Sequence, residues 1–460
     1  MLLTLLVREL SAHLLTYRFA LSSGLLFILL VGSAMILGVN YDRRLDAFTE
    51  AQLARDQKLA EATDFRTLQW QGMQQEKPPN PLSVFTVGLE RELSRSVTIA
   101  SREEPTLGRS KFSNPLFVLF PAPDFLYIVN IVGSLLAILF AFNAVSGEHE
   151  DGTLRLVMSH PVPRHLLLLS KWIGGYLALV LPLLLWTICG LGLASLTTSF
   201  TLRGADVAAF AGMLAIAALY LSMFFTLALA ISVLTHRSST SLVVSFLIWV
   251  LWVLAIPNVA PIAARALVPV PTAGAIASER SAIRRAAFDG LRQRGRGMDR
   301  DQRDALREEA EERQTQQTQS LMADFSRRLQ AQVDAGTALA RLSPSASYVY
   351  ATASLAGSGL AQFSAIRVYI NRYRADYVDA LDRIESDRRR QTQAITDREE
   401  RDEIMEAPID PDDLPAFVPP RVPIARIMAD GQTDILLLVI LNGVFFLAAY
   451  VGFLRYDLAS

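Results

Sequence analysis

The chain has 460 residues, 51% of them apolar, with 44 basic and 45 acidic side chains and a formal charge of −1. So much apolar sequence at a positive mean hydropathy exceeds what a soluble domain needs and suits several membrane spans joined by polar segments. The balanced charge gives no reason to expect a nucleic-acid partner, and the single cysteine, Cys189, excludes an intrachain disulfide framework.

In chain order, residues 1–18 place Leu2, Leu3, Leu6, Leu10 and Leu14 at helical spacing, with Arg8, Glu9 and His13 mostly elsewhere, which predicts a helix lying along the membrane surface. An uncharged run then covers Phe19 to Val39. It is too long for a signal peptide and is read as an uncleaved anchor. Residues 40–124 form the first polar segment, with a helix expected over Leu45 to Gln69, a turn at Lys77 to Pro81 and a strand around Ser96 to Ser101. The second span is expected at 125–145. Residues 146–171 are a short polar bridge, 172–256 hold spans three to five, 257–434 are a second polar segment and 435–454 are the sixth span.

At the start of the second polar segment, Pro257, Pro261, Pro269 and Pro271 are expected to break the fifth helix and leave a short re-entrant or interfacial element at the membrane face. In the second polar segment, Phe363, Ile366, Ile370, Tyr373, Tyr377, Leu381 and Ile384 recur at steps of three and four, and the helix is expected to run on into the charged stretch 387–406. An earlier stretch, 299–342, repeats the pattern, so that a helical hairpin is expected, followed by an extended proline-rich return through Pro408 to Pro423. The fold expected is an all-α membrane protein with six transmembrane helices and a largely helical extracytoplasmic domain carrying minor β structure.

Arg8, Arg18, Arg155, Arg164, Lys171, Arg237 and Arg455 fall at one set of span ends, whereas the short loop 197–206 carries Arg203 alone. The positive-inside rule then predicts cytoplasmic termini and a cytoplasmic bridge, in a bacterial inner membrane, with both long segments exported.

Chemistry of its own is not written in the chain. No P-loop signature occurs, so the chain is not expected to bind or hydrolyse ATP, and no zinc-protease or serine-hydrolase motif appears. The five histidines, His13, His149, His160, His165 and His236, lack ligand spacing, so no metal is expected; Cys189 is read as a buried packing residue. Polar residues inside the spans, among them Asn130, Asn143, Thr187, Ser222, Thr226, Ser245 and Asn442, suit hydrogen bonding between helices.

The bridge is the informative stretch. Glu148, His149, Glu150 and Asp151 precede Gly152 and Thr153; an amphipathic turn through Leu154, Leu156 and Val157 follows, then Pro161 and Pro163, and Arg164 leads to Lys171 and Trp172. An ordinary charged interfacial loop has much the same composition. The order of Glu148, Gly152, Thr153, Leu154, Leu156, Pro161, Val162, Arg164, Leu167, Leu168, Lys171 and Trp172 nevertheless closely resembles the coupling-helix region of type-2 ABC exporter permeases. It looks most like the branch that includes the permease serving nitrous oxide reductase maturation. Residues 80–89 (NPLSVFTVGL), Leu342 to Pro344 and Leu355 to Gly357 look similar to that branch too, although the polar segments here are far larger.

The resemblance implies two six-span subunits, a homodimer or heterodimer, driven by two copies of a separate ATP-binding subunit that would hold ATP and Mg. It implies a coupling site of Glu148, Gly152, Thr153, Leu154, Arg155, Leu156, Val157, Pro161, Arg164 and Lys171, with the leucines and valine giving apolar contact and Glu148, Arg155 and Arg164 orienting. Export of a lipid, peptide or small hydrophobic compound is the leading expectation. Mechanical transmission to a periplasmic partner without translocation, and a receptor or scaffold with no motor, are the alternatives.

Overall fold

The computed structural model describes residues 2–61, 72–88, 96–99, 106–108, 123–159, 163–294, 299–393, 395, 397–407, 409–410 and 413–455. Among them, 6 helices are long and apolar enough to cross a membrane: Tyr17–Gln57, Phe125–Glu150, Arg164–Thr197, Gly204–Leu234, Ser238–Leu267 and Ala425–Leu454. The chain forms two compact units, one of Met1–Trp249 with Ser347–Ser460, the other of Val250–Ala346.

The first unit opens with α1 (Leu2–Leu14) and α2 (Tyr17–Glu61). The span and the helix expected after it are one rod in α2, because no proline interrupts residues 17–61 and Arg44 Nε donates back to the Asn40 carbonyl at 3.2 Å. At 1.5 Å per residue the rod is about 68 Å long. The rest of that expected helix, 62–69, lies outside the described residues.

A small antiparallel sheet follows, ordered β1 (Met73–Glu76), β2 (Ser96–Ile99) and β3 (Thr106–Gly108), with Met73 opposite Ile99. Its inward residues Met73, Val97 and Ile99 pack on Ile366, Ile370, Tyr373, Tyr377 and Leu381 of α13 (Leu360–Thr392). Strand periodicity of two thus meets a helical stripe at steps of three and four. The helix runs into the charged stretch as far as Thr392, and a separate α14 (Arg398–Glu406) carries the later charges. The proline-rich return is extended over 415–423, and α13 supplies the polar partners its backbone needs. Tyr373 donates to the Pro415 carbonyl at 2.7 Å, the Tyr369 hydroxyl accepts from Val418 N at 2.7 Å, and Gln362 bonds both the Pro420 carbonyl and Val422 N.

The helices that could span are α2, then α3 (Phe125–Tyr127, a π-helical turn Ile128–Gly133, and Ser134–Ala141), α6 (Arg164–Thr197), α7 (Gly204–Leu234), α8 (Ser238–Trp249) and α15 (Ile424–Leu454). The short α4 (Ser146–Glu150) and α5 (Thr153–Met158) lie between α3 and α6. Apolar all round, α7 is the most buried of the set and packs against α3, α6, α8 and α15. Polar side chains tie this bundle: Asn442 of α15 donates to Ser222 Oγ at 2.9 Å, Trp172 Nε1 of α6 donates to Thr226 Oγ1 at 2.8 Å, and Tyr220 OH donates to Asn130 Oδ1 at 2.8 Å. Cys189 is not buried. It lies on the exposed face of α6, because the helix turns Thr187, Gly190 and Ala194 inward, Gly190 against Leu30 and Ala34 of α2.

In the second unit the expected proline break falls later than the first two prolines. The helix continues through a π-helical turn, Val250–Ala255, into α9 (Ile256–Leu267) with Pro257 and Pro261 inside it, and ends just before Pro269 and Pro271, which lie in the non-helical stretch 268–272. The Trp252 carbonyl, within the π-helical turn, accepts from the Ser343 hydroxyl. Of the helical pair expected in the polar segment, α11 (Arg300–Ala340) packs on α9 and on α10 (Ala273–Arg294) within this unit. The other member, α13, belongs to the other unit, where its apolar face is covered by the sheet.

Candidate functional site

The bridge is built from the end of α3 to the start of α6. After Ala141 the chain turns through Phe142 to Val145, and the turn is anchored from two sides. Val145 N and Ser146 N both donate to Ser232 Oγ of α7, at 3.1 and 3.0 Å. Arg18, at the base of α2, donates to Asn143 Oδ1 at 3.2 Å and stands 5.2 Å over the Phe142 ring. The run Glu148 to Asp151 is tied to the approach to α8 as well. Glu150 Oε2 accepts from Ser238 Oγ at 2.6 Å, at the beginning of α8, and His149 meets His236 edge to face with ring centroids 5.3 Å apart.

Gly152 makes the reversal between α4 and α5 at φ 70°. A side chain there would have open space but an unfavourable left-handed backbone, so the position wants glycine for conformation alone. Gly152 N donates to the His149 carbonyl at 3.1 Å and Thr153 Oγ1 to the Glu148 carbonyl at 3.2 Å, which closes the turn.

The ten residues singled out from the sequence separate into groups. Thr153, Arg155 and Leu156 are exposed, Leu156 to 66%, and with Gly152 they form a short outward ridge. Leu154 is turned the other way and is fully buried, as the helical step from Leu156 requires. Glu148 and Lys171 pair with each other at 2.5 Å, Lys171 being 5% exposed. Arg164 donates to the Leu454 carbonyl at 2.8 Å, so this cation sits on the carboxyl end of α15, where the helix dipole favours it. Pro161 and the side chain of Val157 lie outside the described residues.

Two features escaped the sequence reading. Glu9 of α1 also reaches Lys171, at 3.5 Å, so the bridge, α6 and the amino-terminal helix share one ion cluster. His13 of α1 packs on Phe140 with centroids 5.9 Å apart; burial holds its pKa below the usual histidine value, against the pull of Glu9. The signal for both was present in the Trp172-Ile173-Gly174-Gly175 run, whose glycines admit a second helix closely. Elsewhere, the two stretches noted as similar to the permease branch touch: Asn80 Nδ2 donates to the Ala356 carbonyl at 2.5 Å. Among the described residues, no group of three or more histidine, cysteine or acidic side chains is placed to hold a metal.

Residues 5–458 match the family profile described as ABC-2 family transporter protein. The probable ABC transporter permease protein NosY of Stutzerimonas stutzeri is 31% identical over 124 residues, 26% of this chain and 44% of that protein. The protein of the same description from Pseudomonas aeruginosa is 44% identical over 62 residues, 14% of this chain and 21% of that protein. The chain thus aligns with less than half the length of either relative. A match along nearly the whole chain, on a bundle of six apolar helices, makes this protein a member of the ABC-2 transporter family, a multi-pass membrane permease.

Proposed function

We propose that the chain is the membrane subunit of an ATP-driven exporter of the bacterial inner membrane, with its termini and the bridge in the cytoplasm. A separate ATP-binding subunit docks on the ridge of Gly152, Thr153, Arg155 and Leu156, and ATP-driven closure of two such subunits pushes the bridges of two permease chains. The observation that carries this reading is the bridge itself. It exposes Leu156 beside Thr153 and Arg155 while its frame is fixed to α2, α7 and α8 through Arg18, Ser232 and Ser238. A fixed frame with a solvated apolar knob can receive a push and pass it on without deforming. The chemistry of ATP stays with the partner, since permeases of this family are in general not ATPases.

A second reading, transmission to an envelope partner with nothing crossing the bilayer, is favoured by α2. Its base bonds the bridge turn through Arg18, and its far end bonds the sheet through Arg55 Nη1 to Gln75 Oε1 at 3.3 Å, so one unbroken helix joins the bridge to the polar segment.

Copurification in mild detergent, with the ATPase rate of the reconstituted complex, tests docking. Leu156→Asp and Arg155→Glu are expected to abolish capture of the ATP-binding subunit while membrane insertion stays intact. Full assembly and unchanged turnover in both variants would remove the docking assignment. Vesicle uptake assays then separate export from transmission.

A further inference from the structure

The amino-terminal helix is held more tightly than a surface helix needs to be. On one face α1 shows Leu3, Val7 and Leu14, each more than two-fifths exposed, at positions that share a helix face. The opposite face is pressed onto the start of α6. A Cβ at Gly174 would stand 2.8 Å from Glu9 Cβ and 3.4 Å from Leu10 N, while one at Gly175 would meet Phe225 Cζ of α7 at 2.7 Å and His13 Nε2 at 3.2 Å. Gly174 is therefore a socket in which the α1 backbone rests, and Gly175 beside it makes room for the Phe225 and His13 rings. Above the socket lies Lys171, with Glu148 at 2.5 Å on one side and Glu9 at 3.5 Å on the other.

We infer that α1 is a moving part of the drive: Lys171 clamps Glu9 of α1 to Glu148 of the bridge, so that a displaced bridge carries α1, and the lipid-facing leucines on it, along with it. This rests on the reading of the bridge as a docking element. The physical reason is desolvation. An almost fully buried ammonium cannot let its carboxylates go without being left uncompensated away from water, which costs far more than opening an exposed pair. Glu148 can therefore move freely only together with Lys171 and Glu9. The glycine socket is the second constraint, because it gives α1 no side chain to slide over. Glu9 and Lys171 act through the bridge, as positioning residues.

The test uses the full complex in phospholipid vesicles, with spin labels at Ser11 of α1 and, as a reference that does not contact the bridge, at Thr201 in the loop between α6 and α7, both exposed, in a Cys189→Ser background. In the otherwise unaltered complex the inter-label distance is expected to shift between the nucleotide-free and ATP-trapped states. Glu9→Gln is expected to leave affinity for the ATP-binding subunit unchanged, to remove at least half of the shift and to lower kcat several-fold at an unchanged KM for ATP. Lys171→Met is expected to lose the shift as well, and Lys171→Arg, which keeps the charge, to retain it. Gly174→Ala provides a check independent of charge, expected to reduce the shift by lifting α1 from its socket. A shift in Glu9→Gln and Lys171→Met equal to that of the unaltered complex overturns the inference. So does an unaltered complex that turns over ATP with no shift at all. Failure of the unaltered chain to bind any ATP-binding subunit overturns the docking reading first, and this inference with it.

Discussion

Replacing Asn442 with alanine takes apart the polar tie between the last helix and its neighbours, and the structure allows the cost to be worked out. One amide N–H goes to Ser222 Oγ at 2.9 Å and the other to the Leu219 carbonyl at a long 3.4 Å. The side-chain oxygen faces Thr226 Oγ1 at 3.0 Å, but that hydroxyl has one proton, and the Ser222 carbonyl competes for it at 2.6 Å. Trp172 Nε1 occupies the acceptor side of the same hydroxyl at 2.8 Å. Asn442 thus makes one good interhelical bond and two weak ones. Polar contacts between membrane helices average about 0.6 kcal/mol and reach about 1.7 kcal/mol, so Asn442→Ala is expected to cost about 1 to 2 kcal/mol. Thr226 keeps both of its other partners, which is why the loss stays small. Reversible unfolding in mixed detergent micelles measures it, with Trp172→Phe and the double variant completing a cycle. Because the two side chains share Thr226, the cycle is expected to show a nonzero coupling. A loss above about 4 kcal/mol, or no loss together with perfect additivity, would refute the idea that this knot joins α6, α7 and α15 by ordinary hydrogen bonds.

Two further outcomes are expected. On α13, Tyr377 OH is buried without a hydrogen-bond partner, and burial pushes its pKa up to about 12, so Tyr377→Phe should be neutral or stabilise by up to about 1 kcal/mol. Tyr373→Phe should instead cost about 1 to 2 kcal/mol, since its hydroxyl bonds the Pro415 carbonyl at 2.7 Å and Gln75 at 3.1 Å; equal melting shifts for the two variants would contradict this account. Acidification should loosen α1. His13 is held below its unfolded pKa by burial, with Lys171 and Arg18 adding to that and Glu9 opposing, so docking favours the neutral ring. Its contribution is complete above the unfolded value of about 6.5 and is lost as pH falls from there toward the folded pKa. Protection of the α1 amides, after the intrinsic pH dependence of exchange is divided out, should fall below about pH 6.5 in the native chain and stay flat in His13→Phe; the same fall in both would exclude His13 as the cause.

The spans were legible because the membrane imposes a length on every apolar run, and a count of uncharged residues is a local property. The stripe of α13 was legible for the same reason: Ile366, Ile370, Tyr373 and Tyr377 declare a buried face before anything is known of what covers it. The ridge of the bridge was marked by Gly152, whose positive φ a local turn demands.

What lay beyond the sequence were the partners of those faces and charges. Pro257 and Pro261 stay inside a helix that Ser343, from far along the chain, holds at the Trp252 carbonyl, and no local count of prolines shows that bond. The stripe of α13 announces a buried face, but only packing decides that the sheet covers it. The sign and spacing of Glu148 and Lys171 marked a polar bridge, but only packing decides that Lys171 is buried, that Glu9 shares it, and that Leu154 turns inward while Leu156 faces out. Periodicity and composition act over a few neighbouring residues and so can be read along the chain. Burial and pairing are settled between segments brought together from far apart, where each group competes for space and for partners.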